Sequence, residues 1–260
     1  MNGAGFLVAA GRRLEYAWLG PSPAQSPTIV FLHEGLGSLG LWREFPGLLA
    51  ERTGCGALIY SRAGYGNSDP VPLPRPITYM HDEALVVLPE VLARSGVRRF
   101  ILFGHSDGAS IALIYAGGTP AGDLLGLVLE APHVFTEDIS VRSIAAAAEA
   151  YRTTDLREKL RRWHGENTDV AFQGWNQAWL DPAFRAWNIE EYLAPIRVRS
   201  LVIQGEGDEY GTVAQVEAIQ RQSGGSVAAR VLPDCGHSPH RDRPAEVLDA
   251  SSAFIAELLR

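Results

Sequence analysis

Six short runs rich in Val, Ile, Leu and Phe recur along the chain, at 28–34, 56–61, 98–104, 124–131, 199–205 and 227–233. Near-continuous apolar runs of this length read as strands buried on both faces. Most are separated by longer stretches with helical periodicity, at 39–53, 78–96, 107–118 and 212–224, and a last helix is expected from about Pro244 to Arg260. Alternation of strand and helix dictates α/β architecture, a mostly parallel sheet covered on both faces, because parallel strands need a crossover connection. Residues 5–20 are expected to add an antiparallel hairpin, which brings the sheet to eight strands.

The alternation breaks once. About sixty residues without a strand lie between the runs at 124–131 and 199–205, and they hold Trp163, Trp175, Trp179 and Trp187. Structureless loops of that length are uncommon in compact domains. The segment is expected to be an inserted helical cap, 134–195, above the carboxyl edge of the sheet, with a core of 1–133 and 196–260. That edge is where ligands bind in open α/β sheets.

Composition excludes several classes. The chain has 260 residues, 46% hydrophobic and 20% charged, with a net charge of −7 and no basic block. Nucleic acid and anionic membranes are therefore not expected as partners. No apolar run reaches the length of a membrane span, and the N-terminus lacks the basic start of a secretory signal. Lys159 is the one lysine among 23 basic residues, and it lies in a charged helical run. Two isolated cysteines, Cys55 and Cys235, favour a reduced, cytoplasmic setting over a disulfide framework. No metal-ligand spacing is present, and no cofactor is expected.

Gly104-His105-Ser106-Asp107-Gly108 follows a buried run and precedes a helical one. Gly-x-Ser-x-Gly in a strand–turn–helix setting exposes a serine on a strained turn. A serine hydroxyl needs an adjacent base, and that base needs a carboxylate to fix its tautomer. His237, in a Gly-His turn after the last strand, supplies the base; His240, past Pro239, is expected at the surface. Asp208, a few residues beyond the preceding strand, is the expected acid. Glu206 and Glu209 beside it are expected to face solvent or cap the next helix, and Glu130 is a less favoured alternative acid. The chain order Ser106, Asp208, His237 is that of an α/β nucleophile-elbow enzyme.

With these motifs the chain resembles the α/β-hydrolase superfamily over nearly its whole length. "FLHEGLGS" resembles the family's His-Gly oxyanion loop, "YSRAGYGNSD" its Asp-Arg-x-Gly-x-Gly-x-Ser stretch with Ser61 where Asp is usual, and "GHSPHRDRPAEV" its C-terminal signature. The resemblance implies an oxyanion hole made by the backbone N–H groups of Asp107 and Gly35. Serine at the nucleophile position implies acyl transfer rather than the alkyl-ester chemistry of relatives with aspartate there.

Two acids depart from the family pattern. Glu34 stands where glycine is usual, and Asp107 where many relatives carry a neutral residue. Strands leading to these positions are neighbours in the fold, so the carboxylates are expected close together beside the oxyanion hole. A carboxylate about 6 Å from an oxyanion opposes it by roughly 3 kcal/mol at an effective dielectric near 20. Either both side chains turn away and are paired, with Arg62 a candidate partner and Asp107 favoured at its helix N-terminus. Or one is protonated by the other's proximity. Or they recognise a cationic or hydroxyl-rich group of the substrate, or a metal, for which there is no clear ligand spacing.

The function expected is a serine hydrolase acting on an ester, thioester or lactone of a small apolar or aromatic acid, with Glu34, Trp163, Trp175 and Trp179 as candidate substrate contacts. The alternatives are a carbon–carbon bond hydrolase of the meta-cleavage-product type and a ligand-sensing protein on the same scaffold.

Overall fold

In the computed structural model, which describes residues 3–118 and 122–260, the apolar runs form one eight-stranded sheet. Its strands are β1 (Gly3–Ala9), β2 (Arg12–Leu19), β3 (Thr28–Leu32), β4 (Gly56–Tyr60), β5 (Arg99–His105), β6 (Asp123–Glu130), β7 (Arg199–Gly205) and β8 (Val227–Leu232). They lie in the order β1-β2-β4-β3-β5-β6-β7-β8. β1 and β2 make the expected antiparallel hairpin, β2 joins β4 antiparallel, and every other pair is parallel.

Among the described residues, ten α-helices connect and cover the strands: α1 (Phe45–Thr53), α2 (Tyr79–Asp82), α3 (Leu88–Ser95), α4 (Asp107–Gly117), α5 (Asp138–Thr153), α6 (Leu156–His164), α7 (Thr168–Leu180), α8 (Val213–Gln222), α9 (Pro239–Asp242) and α10 (Pro244–Leu258). A π-helical turn, Glu83–Val87, joins α2 to α3, so the run read at 78–96 is one helix with a widened turn.

Alternation along the strands divides the core between the two faces. Val30, Leu32, Leu58, Tyr60, Leu102 and Leu129 pack with residues of α3, α4, α7 and α8. Ile29, Phe31, Ala57, Ile59, Phe103 and Val128, one residue out of phase, pack against α1 and α10. Burial on both faces is why these strands read as unbroken apolar runs.

The strand order also fixes where a site can form. β3 pairs with β4 on one side and β5 on the other, so the winding direction reverses there. Such a switch point opens a crevice at the carboxyl ends of the two strands. The loop at 33–38 and the turn at 105–107 leave the sheet at that crevice. The glycines of the turn are sterically required. A Cβ on Gly104 would lie 2.4 Å from the Gly108 carbonyl oxygen, and one on Gly108 would lie 1.9 Å from that of Leu32. α4 can therefore start directly against the end of β3, and every one of its residues is buried.

Between β6 and β7 the chain is helical, as its pattern requires: α5, α6 and α7, then 3-10 turns at Pro182–Ala186 and Glu190–Tyr192. A bridge between Phe135 and Asn188 closes the base of the segment.

Candidate active site

Ser106 sits between β5 and α4 with φ 54° and ψ −116°, a conformation that L-residues adopt only when the surroundings impose it. Its N–H donates to the Glu130 carbonyl oxygen (2.9 Å), and its own carbonyl accepts from Ala109 N–H (2.9 Å) and Ser110 N–H (3.0 Å). The strand end and the first helical turn thus hold the residue from both sides.

Three side chains from separate loops meet at this turn. Ser106 Oγ lies 2.9 Å from His237 Nε2, and His237 Nδ1 lies 2.8 Å and 2.9 Å from the two oxygens of Asp208. Asp208 also accepts from Tyr210 N–H (2.7 Å), Gly211 N–H (3.2 Å) and Gln204 Nε2 (2.7 Å). Burial alone would raise its carboxyl pKa; His237 and the Tyr210 amide outweigh that and hold it below the usual carboxylate range. An ionised Asp208 accepts a hydrogen bond from His237 Nδ1–H, which leaves Nε2 as the acceptor facing Ser106. Glu206 and Glu209 are exposed, and Thr212 caps α8. The first amide of α4, at Asp107, has no acceptor within the helix. The turn after β3 closes through Gly37 N–H to Glu34 O (3.0 Å), and Gly35 lines the same cavity as Ser106.

The two extra acids are separately partnered. Asp107 is fully buried; its Oδ2 accepts from Tyr79 Oη (2.6 Å) and lies 3.7 Å from Arg62 Nη2. Glu34 turns the other way. Its Oε2 is 3.4 Å from His105 Nδ1 and its Oε1 accepts from Arg241 Nη2 (3.1 Å). Burial would raise the Glu34 carboxyl, but His105, Arg241 and His33 together hold it well below its ordinary range. His105 shows the converse: burial opposes its charge, and Glu34, Glu130 and the His237 carbonyl raise its pKa above the usual histidine range. The first of the three readings, a paired side chain turned aside, describes Asp107; Glu34 is paired as well but stays in the cavity lining.

His240 is a correction. It was expected at the surface, yet it is 5% exposed, with Nδ1 2.6 Å from Glu130 Oε2 and its ring packed on Trp42 and Phe45. α9 folds back over the ends of β5 and β6, and that carries His240 inward. Glu130 therefore serves His240 and makes no contact with His237. His105, Glu130 and His240 bring potential ligand atoms within 4.8 Å of one another. A metal there would have to displace the His240–Glu130 hydrogen bond and the His105–Glu34 pair.

A cavity of about 210 Å³ opens over Ser106, His237 and Gly35. Leu36, Ile144, Trp175, Trp179 and Tyr210 give it apolar walls, while Glu34, Ser238 and Arg241 form a polar side. Trp163 does not reach it. That ring is 36% exposed and packs over Gly40, because α6 turns Leu160 and His164 inward instead. Trp187 stacks on Phe184 in the core of the helical segment. A larger groove of about 750 Å³ along the outer hairpin has no acid or histidine in its lining.

A family model for the alpha/beta hydrolases matches residues 29–250. The chain belongs to the alpha/beta hydrolase family. Among proteins similar to this hydrolase, 2-succinyl-6-hydroxy-2,4-cyclohexadiene-1-carboxylate synthase of Enterobacter sp. (strain 638) is 28% identical over 263 residues, covering 90% of this chain and 92% of its own. Among solved structures, a bacterial membrane phospholipase A has a TM-score of 0.83 at 21% identity, covering 100% of this chain and 87% of its own. An esterase from Exiguobacterium antarcticum has a TM-score of 0.75 at 19% identity, covering 97% and 99%. Structural likeness at these identities speaks to the fold alone.

Several residues of this alpha/beta hydrolase's site escaped sequence reasoning. His133 and Tyr210 line the cavity, and Arg241 binds Glu34. His133 Nε2 donates to the Tyr210 carbonyl (3.1 Å); burial, then the neighbouring His237, lowers its pKa. A histidine three residues past the end of β6, at the same sheet edge, was the available signal. Among the described residues, no helix is long and apolar enough to cross a membrane.

Proposed function

We propose that this alpha/beta hydrolase is a serine hydrolase that cleaves an ester, thioester or lactone of a small apolar or aromatic acid through an acyl-enzyme on Ser106. The observation that carries the reading is the Asp208–His237–Ser106 chain, at 2.8 Å and 2.9 Å, opening on an aromatic-walled cavity. His237 Nε2 takes the Ser106 proton as Oγ attacks the carbonyl carbon. The oxyanion is held by the amides of Asp107 and Gly35. His237 then protonates the leaving oxygen or sulfur, and the same base activates the water that releases the acid. A cavity of about 210 Å³ lies below the roughly 300 Å³ at which drug-sized sites begin, which favours a small acyl group.

A second reading follows from the relative named as a synthase, in which the same Ser106–His237 pair acts as a base toward a carboxylate-bearing compound. The cavity favours acyl transfer: Arg241 is the one arginine or lysine in its lining, and it is already paired with Glu34.

The test is a burst experiment with p-nitrophenyl esters of short and aromatic acids. One equivalent of p-nitrophenol should appear before steady turnover, with the acyl mass on the peptide containing Ser106, and Ser106→Ala should abolish both. Turnover that persists in Ser106→Ala would overturn the acyl-enzyme.

A further inference from the structure

Glu34 and His105 lie outside the three side chains that the proposed chemistry uses, yet His105 is fully buried and Glu34 half-buried beside them. His105 is the last residue of β5, next to Ser106, and its Nε2 lies 2.7 Å from the backbone carbonyl oxygen of His237. A carbonyl only accepts, so Nε2 carries a proton. On the other side of the ring, Nδ1 faces the Glu34 carboxylate at 3.4 Å. Nδ1 makes no hydrogen bond at that distance, but the facing carboxylate favours a second proton on a ring already protonated at Nε2, an imidazolium paired with its counter-ion.

The second oxygen of Glu34 holds Arg241, on α9, at 3.1 Å. His237 sits in an irregular stretch between β8 and α9, outside any regular element. Glu34 therefore grips that stretch at two points: at the carbonyl of residue 237, through His105, and at residue 241 directly. One acid joins the loop after β3, the serine turn and the base-bearing loop.

We propose that Glu34 and His105 are positioning residues, an ion pair that clamps the main chain of His237 and keeps its Nε2 over Ser106. This assigns a task to the acid that departs from the family pattern, and it rests on the acyl-enzyme reading above. Both members are needed. Without Glu34, a neutral His105 can place its proton on Nδ1, and its Nε2 lone pair then faces the His237 carbonyl. The titratable groups that face His105 are Glu34 from the β3 turn, Glu130 from β6, and His237 and His240 from the C-terminal loop and α9, with the uncharged Trp42 ring on the same side. His105→Gln removes the ring, whereas Glu34→Gln retains a donor toward Nδ1 and an acceptor toward Arg241.

The experiment compares Glu34→Ala, Glu34→Gln and His105→Gln for kcat and KM on a p-nitrophenyl ester, for the rate of fluorophosphonate labelling of Ser106, and for histidine ¹⁵N shifts. Glu34→Ala should lower kcat and the labelling rate by roughly 10- to 100-fold with little change in KM, as expected for a misplaced base. Glu34→Gln should recover most of that loss. In the wild-type protein both His105 nitrogens should be mostly protonated at about pH 6.5, where a free histidine is half neutral; the signal is assigned by its absence from His105→Gln. A Glu34→Ala protein with kcat and labelling rate within about twofold of wild type, a loss confined to KM, or a neutral His105 in the wild type overturns the clamp. If Glu34→Ala fails to fold, the ¹⁵N shifts and the Glu34→Gln and His105→Gln rates decide it. Ser106→Ala is run alongside: turnover that survives it overturns the acyl-enzyme reading, and the clamp is then judged on the ¹⁵N shifts.

Discussion

The proposed acyl transfer draws on the amide of Asp107, while its carboxylate is buried in the protein. The side chain accepts from Tyr79 Oη, which in turn accepts from Trp179 Nε1 (3.0 Å), and Arg62 supplies the compensating charge. An acid so placed supports the turn instead of opposing an oxyanion. Asp107→Asn should change kcat on a p-nitrophenyl ester by less than about tenfold, because the amide donor is retained. It should destabilise the fold by about 3 kcal/mol, because Arg62 loses a buried partner; the urea midpoint measures this. A hundredfold loss of kcat with Ser106 still labelled by a fluorophosphonate would overturn the assignment. The sequence placed Glu34 and Asp107 beside the same turn, since each follows a neighbouring strand. It could not say that they diverge, because their partners Arg62, Tyr79 and Arg241 come from three other places in the chain, and His105, two residues before Asp107, pairs with Glu34 instead. The same holds for His240 and Glu130, which are 110 residues apart and meet only because α9 folds back.

At the level of elements, the helical segment packs on the loop after β3 where Trp175 meets Gly35. A Cβ on Gly35 would lie 2.2 Å from Cδ1 and 2.3 Å from Nε1 of Trp175 on α7. Trp175 is 6% exposed and cannot simply swing away. Gly35→Ala should therefore push α7 off the cavity or displace the loop, and lower kcat/KM by at least about tenfold, as displacements near 1 Å can. Gly35→Ala/Trp175→Phe relieves the clash and should recover part of that loss. Equal activity in Gly35→Ala and wild type would show that the two elements are not in register. The strand–helix alternation made the sheet and the helical insertion legible, because burial on both faces leaves a strong pattern. Which tryptophan reaches the cavity was not legible. Trp163 and Trp175 both lie on amphipathic helices, and only packing shows that α6 turns Leu160 and His164 inward while α7 turns Trp175 toward Ser106.

Taken over the whole molecule, the buried histidines set how stability depends on pH. His33 donates from Nδ1 to the Glu34 carbonyl (2.7 Å) and accepts at Nε2 from Arg62 N–H (3.1 Å), an arrangement open only to a neutral ring. His164 is bound likewise, accepting at Nδ1 from Gly66 N–H (3.1 Å) and donating from Nε2 to the Leu36 carbonyl (3.0 Å). Burial lowers the pKa of both, and that of His133. Below the ordinary histidine value of about 6.5 the unfolded chain therefore takes up protons that the folded one refuses. Stability contributed by these rings is present above that value and lost as pH falls toward their lowered folded pKa values. His105 works the other way, since its folded pKa is raised. Its contribution is complete below about pH 6.5 and is lost as pH rises through the folded value. The depressed carboxyls of Glu34 and Asp208 add a further loss only at lower pH, as it falls through their own folded values. Three lowered histidines outweigh one raised, so stability should fall between about pH 6 and pH 5 by at least one proton's worth, about 1.4 kcal/mol per pH unit. Urea midpoints across pH 7.5 to 5, at unchanged m-value, measure this slope. His164→Gln keeps a donor and an acceptor but cannot titrate, so it should flatten the slope by up to one proton. A midpoint that stays constant from pH 7 to 5 would mean that these rings are charged in the folded protein, against the hydrogen bonds they make.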